Sequence, residues 1–213
     1  DATGEIPVII SKNKKELLEQ VREIIHDEVI GIVGKTNDKA FFADQIIWPD
    51  IPHREIKTQS ADVFVVFLSD VHVGSRNFLE EEFHRFLSWI NGESGNDEQQ
   101  AIAKKVQYIF ITGDVVDGVG IYPAQEKELL ITDIKKQYDE LVRLLRKIPS
   151  HITITICPGN HDAVHLAEPQ PVFDRKFSSA LYDLPNVQLV SNPAVVTIGK
   201  QADFSGFTIL MYH

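Results

Sequence analysis

Asp70, His72, Asp114, Asn160, His161 and His213 are the residues whose types and spacing can do chemistry together. Each stands just past an apolar run. Residues 62–68 lead into Ser69-Asp70-Val71-His72-Val73-Gly74, and 106–111 into Thr112-Gly113-Asp114-Val115-Val116-Asp117. Residues 152–157 lead into Pro158-Gly159-Asn160-His161-Asp162, and 207–212 run up to His213. In α/β sheets, ligand sites gather at the carboxyl ends of strands, where loops aim side chains at one crevice. These donors are oxygens and imidazole nitrogens with no thiolate among them, a set that suits manganese, iron or zinc. Side chains alternate along a strand, so Asp70 and His72 point to one side if the extended geometry continues that far. Gly113 and Gly159 directly precede Asp114 and Asn160, where a close backbone approach would crowd any larger residue. Asp114 has two oxygens with which to bridge two cations, and Asn160 offers a neutral oxygen that limits the negative charge a phosphate would meet.

Taken singly, these residues have duller readings. An Asp after a strand is commonly a cap or turn residue, and Gly-Asp is usually a plain turn. The order Asp-x-His-x-Gly, Gly-Asp, Gly-Asn-His-Asp, each behind an apolar strand, is what packing alone does not produce. Asp117 has two readings, outer support for the site or a turn, and the turn is the commoner. His165 is read as an exposed loop residue, and His26, His53, His84 and His151 as structural or solvent-facing. Cys157 closes a strand as a packed thiol. Phe41, Phe42 and Trp48 suit core or interface packing more than base stacking. Trp89 and Tyr122-Pro123 are candidates for burial or contact.

The elements that position these residues form two patterns. Residues 5–10 predict a strand, and Ser11 an N-cap for a helix over 14–25 with Leu17, Leu18, Val21, Ile24 and Ile25 on one face. Residues 29–33 and 40–47 predict a hairpin across the turn-rich stretch 34–39, and 48–53 an extended exit. Residues 55–61 read as a linker. Beyond it the rhythm is strand, helix, strand: a strand buried on both faces at 62–68, a helix over 78–90, and a surface loop at 92–100. A strand at 106–111, a long helix over 125–147 and strands at 152–157, 187–190, 194–198 and 207–212 follow. The fold class is therefore α/β behind a small β-module.

The chain has 213 residues, 43% of them hydrophobic and 24% charged, which is ordinary for a folded globular protein. Its 31 acidic and 21 basic residues leave a formal charge of −10, not the basic footprint of a protein that holds nucleic acid by net charge. The single cysteine excludes a disulfide framework and a cysteine-based zinc ribbon. No apolar run approaches the ~20 residues of a membrane span. No signal-peptide profile opens the chain, so no membrane partner and a cytoplasmic location are expected. The chain starts at Asp1 without methionine and closes on an apolar run ending in His213, so both ends are expected to be cut.

From about Asp62 onward these motifs resemble the calcineurin-like metallophosphoesterases. The resemblance implies a phosphodiesterase β-sandwich flanked by helices, with two divalent ions. By motif, Asp70 and His72 would hold the first ion, Asp114 would bridge, and Asn160 and His213 would serve the second. His161 would protonate or stabilise the leaving oxygen. The family's later Gly-His-x-His motif lies past residue 213, so each ion would lack one histidine here and this segment is expected to bind metal poorly. The stretch Asp114-Val-Val-Asp-Gly-Val-Gly-Ile-Tyr-Pro-x-Gln125, with Pro158–Asp162 and Pro169-Gln-Pro171, further resembles the small-subunit family of archaeal D-family DNA polymerases. That resemblance implies a manganese-dependent 3′→5′ proofreading exonuclease, partnered by a large catalytic polymerase subunit and acting on DNA with a 3′ end. It also implies that residues 1–54 are the later part of an OB-fold module, 55–61 a linker, and 62–213 a phosphodiesterase domain truncated at its C-terminus. The expected mechanism is two-metal hydrolysis with in-line attack on phosphorus. The rival readings are a non-catalytic scaffold that docks a polymerase subunit and a metallophosphatase of other substrates.

Overall fold

The computed structural model describes residues 4–37, 39–50 and 56–213. The chain divides into two compact units, Asp1–Ile56 and Lys57–His213. Ile51 to Glu55, with His53 and the first residue of the expected linker, lie outside the described residues. Lys57 and Gln59, also expected in the linker, hydrogen-bond to Ser205, Gly206 and Gly199 of the second unit.

In the first unit, β1 (Val8–Ile9) precedes helix α1 (Lys15–Val21) and the strands β2 (Gly31–Thr36) and β3 (Phe41–Ile47). β3 is central, parallel to β1 and antiparallel to β2. Leu17 of α1 packs with Ala43 and Ile46 of β3, and Trp48 joins this small core. The helix is shorter than 14–25, and Ser11 does not cap it: Lys14 is the N-cap residue, without a side-chain cap. Beyond Val21 the chain breaks into turns, and Ile25 stays exposed.

The second unit is built on four parallel strands in sequential order: β4 (Phe64–Leu68), β5 (Val106–Thr112), β6 (Thr153–Cys157) and β7 (Val187–Leu189). The crossovers carry α2 (Glu80–Ile90), α3 (Asp97–Ala103), α4 (Ile134–Leu145) and the short α5 (Arg175–Ser178). Alternation along the strands divides the apolar residues between two faces. Ile109, Ile111, Ile154 and Ile156 pack with Leu87 and Ile90 of α2 and Tyr138, Leu141 and Leu145 of α4. Phe110 and Cys157 point the other way and cluster with Ile198 and Met211. Those two residues lie on an antiparallel pair, β8 (Ala194–Ile198) and β9 (Phe207–Met211). The result is a mixed α/β arrangement, with helices over one face of a parallel sheet and a second sheet over the other. Burial pushes the Cys157 thiol up to about 11, as a packed, inert thiol requires.

Three expectations about the elements of the second unit need correction. β4 is not buried on both faces: it is the edge strand, and the layer opposite covers Val65 but leaves Phe67 61% exposed. The polar stretch at 92–100 is not all loop, because Asn96 and Gln99 form a reciprocal capping box that starts α3. The long helix at 125–147 is instead a 3-10 turn at Gln125–Lys127 and the helix α4, whose N-cap Asp133 accepts from the Lys136 amide. Core and cap differ in energetic scale, and that is testable. Phe110 is fully buried between the sheets, so Phe110→Ala is expected to cost about 3–5 kcal/mol. Asn96→Ala removes one cap and is expected to cost about 1 kcal/mol. Urea unfolding measures both.

Candidate metal centre

The loops after β4, β5 and β6 and the residue after β9 bring Asp70, His72, Asp114, Asn160, His161 and His213 into one cluster. Asp114 is its centre. Its side chain is 5% exposed against 56% for Asp70. Its Oδ2 lies 3.7 Å from His72 Nε2 and 3.4 Å from His213 Nε2, and its Oδ1 accepts the His161 amide at 2.8 Å. Asp70 Oδ1 stands 3.8 Å from His72 Nε2, and Asn160 Oδ1 lies 3.3 Å from His213 Nε2. Among the described residues, two groups of ligand atoms have the spacing for a metal ion: His72, Asp114 and His161, and Asp70, Asp114 and His213. Asp114 belongs to both. The grouping pairs Asp70 with His213 and places His161 among atoms that can reach an ion.

Outer partners set the tautomer of each histidine. His213 Nδ1 faces the Thr112 carbonyl at 2.9 Å and His161 Nδ1 the Asp117 carbonyl at 2.8 Å. His72 Nδ1 faces Asp117 Oδ1 at 3.1 Å. A carbonyl or carboxylate can only accept, so each Nδ1 carries a hydrogen, and a ring with no second proton presents a bare Nε2 lone pair. For His72 and His213 that lone pair meets the oxygens of Asp70, Asp114 and Asn160. Acceptor facing acceptor is repulsive unless a proton or a metal cation lies between them, and this donor set of imidazole, carboxylate and amide oxygens fits divalent ions.

The backbone is bent to make this possible. Asp70, His72 and Asp114 all have left-handed φ, at 54°, 51° and 49°. Non-glycine residues rarely hold that conformation, which costs on the order of 1 kcal/mol each and gathers at functional sites. Strand alternation therefore does not orient Asp70 and His72; two successive reversals of the loop do. A Cβ at Gly113 would run into the His213 ring, and one at Gly159 would strike the Asp114 backbone and the same ring. These two glycines are the close approach that their position before Asp114 and Asn160 led one to expect.

Two supports were only partly legible in the sequence. Asp117, commoner as a turn residue, is a buried outer partner that orients His72 and is itself held through Oδ2 by Gln125. Asp162 is buried and accepts from the amides of Gly159, Val115 and Val116, tying the β5 and β6 loops together. Burial pushes its carboxyl up to about 7; the Gly159 amide opposes that shift and the Asp114 charge adds to it. The signal for both was present, a second Asp in each loop, but nothing in spacing says which carboxylate turns inward. His165 is exposed, and His84 lies 3.7 Å from Glu80 on α2. Among the described residues no helix is long and apolar enough to cross a membrane.

A family model described as calcineurin-like phosphoesterase matches residues 65–213. The chain is 43% identical over 213 residues to the DNA polymerase II small subunit of Methanothermobacter thermautotrophicus, covering 100% of this chain and 42% of that protein. Against the protein of the same name from Archaeoglobus fulgidus it is 42% identical over 213 residues, covering 100% and 41%. For the one from Pyrococcus abyssi the identity is 41% over 201 residues, covering 93% and 32%. The chain thus spans about two fifths or less of the length of these relatives. The matched segment opens within β4 and ends at His213, taking in every loop of the cluster, and the chain belongs to the calcineurin-like phosphoesterase family.

Proposed function

We propose that this chain is part of the small subunit of an archaeal D-family DNA polymerase and that the subunit is a proofreading 3′→5′ exonuclease. It would work in the cytoplasm on DNA with a 3′ end, beside a large catalytic subunit, using two divalent ions, manganese by preference. The observation that carries the chemistry is the pair of histidine lone pairs facing carboxylate and amide oxygens around Asp114. The names of the relatives supply the setting. A docking scaffold would have no use for lone pairs held this way. A phosphatase of other substrates shares the ligand loops but not the stretch from Gly118 to Pro123. The parallel pairing of β1 with β3 around α1 and a hairpin supports reading residues 1–54 as the later part of an OB-fold module.

In this reading Asp114 would serve both ions, Asp70 and His72 would help hold one, and Asn160 and His213 the other. Bound there, the ions lower the pKa of water and neutralise charge on the phosphoryl oxygens. With Nδ1–H held on the Asp117 carbonyl, His161 would carry a second proton on Nε2, as an imidazolium, when it protonates the departing 3′ oxygen or hydrogen-bonds the phosphoryl group. The His161 amide meanwhile donates to Asp114 Oδ1, so the histidine and the bridging carboxylate hold one another in register.

Cleavage of 3′-mismatched DNA by the full-length protein with manganese tests the reading, and absence of cleavage by the metal-loaded protein refutes it. His161→Ala is expected to fold and keep its metal on calorimetry while losing about 10²–10⁴ in kcat; unchanged cleavage removes His161 from the mechanism. Asp114→Ala should lose metal together with activity. Asp117→Asn, which weakens the hold on His72, should cost roughly 10–100-fold in metal affinity with the fold intact.

A further inference from the structure

Helix α2, the loop after β4 and the segment around Tyr122 line an open cavity of about 560 Å³ beside Asp70, His72, Asp117 and His161. Its far wall is apolar, made by Val71, Phe78, Leu79, Phe83 and Phe86. Phe78, Phe83 and Phe86 stand in file, with ring centroids 6.0 and 5.7 Å apart. At the near end the Tyr122 ring is 6.2 Å from that of His161, which meets His72 edge-on at 4.7 Å. Aromatic surface therefore borders the cavity from the ligand cluster to its far wall. The three phenylalanines touch the core yet are only partly buried, and Leu79 is largely exposed.

The charge of the lining narrows what can enter. Its carboxylates are Asp70, Glu82, Asp117 and Glu128, and among the described residues no Lys or Arg lines it. A phosphate away from the ions would meet only negative charge there, so this is no track for a strand backbone, which needs basic contacts. A neutral, flat heterocycle fits better. Its faces stack on aromatic rings, and its amino groups can donate to carboxylates at the rim. Glu128 already accepts from Tyr122 Oη at 3.1 Å and so fixes that ring at the mouth.

We infer that this cavity receives the nucleobase of the 3′-terminal nucleotide, the one being removed, while the phosphodiester on its 5′ side lies at Asp70 and Asp114. The inference rests on the exonuclease reading and gives it a source of selectivity. A base must leave its stack to enter, and unstacking costs least at a mismatched or single-stranded end.

The test uses the full-length protein with manganese and two single-stranded oligonucleotides, one with an ordinary 3′ nucleotide and one with an abasic 3′ residue. The base-bearing end is expected to show a kcat/KM about tenfold higher or more, the order of one base–aromatic stack. Phe78→Ala and, at the exposed rim, Leu79→Ser should each narrow that ratio. Calorimetry gives a readout independent of turnover: dAMP should bind the metal-loaded protein about tenfold tighter than deoxyribose 5-phosphate, and the gap should shrink in Phe78→Ala. An active wild type that cleaves both ends equally overturns the base assignment and leaves the exonuclease reading standing. A full ratio retained in both variants overturns it too. Cleavage of neither end by the metal-loaded protein refutes the exonuclease reading, and the inference falls with it.

Discussion

Around the buried carboxylate of Asp114, two imidazoles present lone pairs to oxygens at 3.4 and 3.7 Å. Left alone, that geometry would relax by rotating a ring or swapping a tautomer. It does not, because each Nδ1 is committed to an outer acceptor: the Thr112 carbonyl for His213 and the Asp117 carboxylate for His72. The crowding of acceptors is thus built into the frame, and a proton on Nε2 or a bound metal cation resolves it. Everything else in the second unit can be read as what keeps those acceptors where they are.

The frame is the parallel sheet. β5 and β6 are buried on both faces, so Thr112 and Cys157 end at positions that the core fixes, and the loops start from there. Asp162 then ties the two loops together through three amides. The left-handed conformations at Asp70, His72 and Asp114 are affordable in this setting because neighbours over-determine them. Backbone strain and acceptor crowding occur at the same residues, as expected where a ligand completes the structure.

Charge takes on a different meaning in this light. A formal −10 speaks against grip on a polyanion by net charge. Part of that acid is drawn into the cluster, where bound divalent metal would offset it. The acidic lining beyond it favours a neutral base over a second phosphate.

The sequence by itself determined the candidate ligands, because side-chain chemistry is written directly in residue type and an apolar run ending in Gly-Asp or Gly-Asn-His needs no partner to be recognised. It also determined most strands of the second unit, whose β-branched and aromatic runs are long enough to be unambiguous. Tertiary structure decided the rest. Whether residues 62–68 lie at an edge or in the middle depends on neighbours far along the chain. Whether Asp117 closes a turn or steers His72 depends on a rotamer that Gln125 and the imidazole select. The 125–147 helix was misread because its apolar positions keep helical spacing while Asp133, eight residues in, offers a better cap than continued helix. The orientation of Asp70 and His72 came from left-handed backbone rather than from strand alternation, and only contacts made across the folded loops can hold a chain in that conformation.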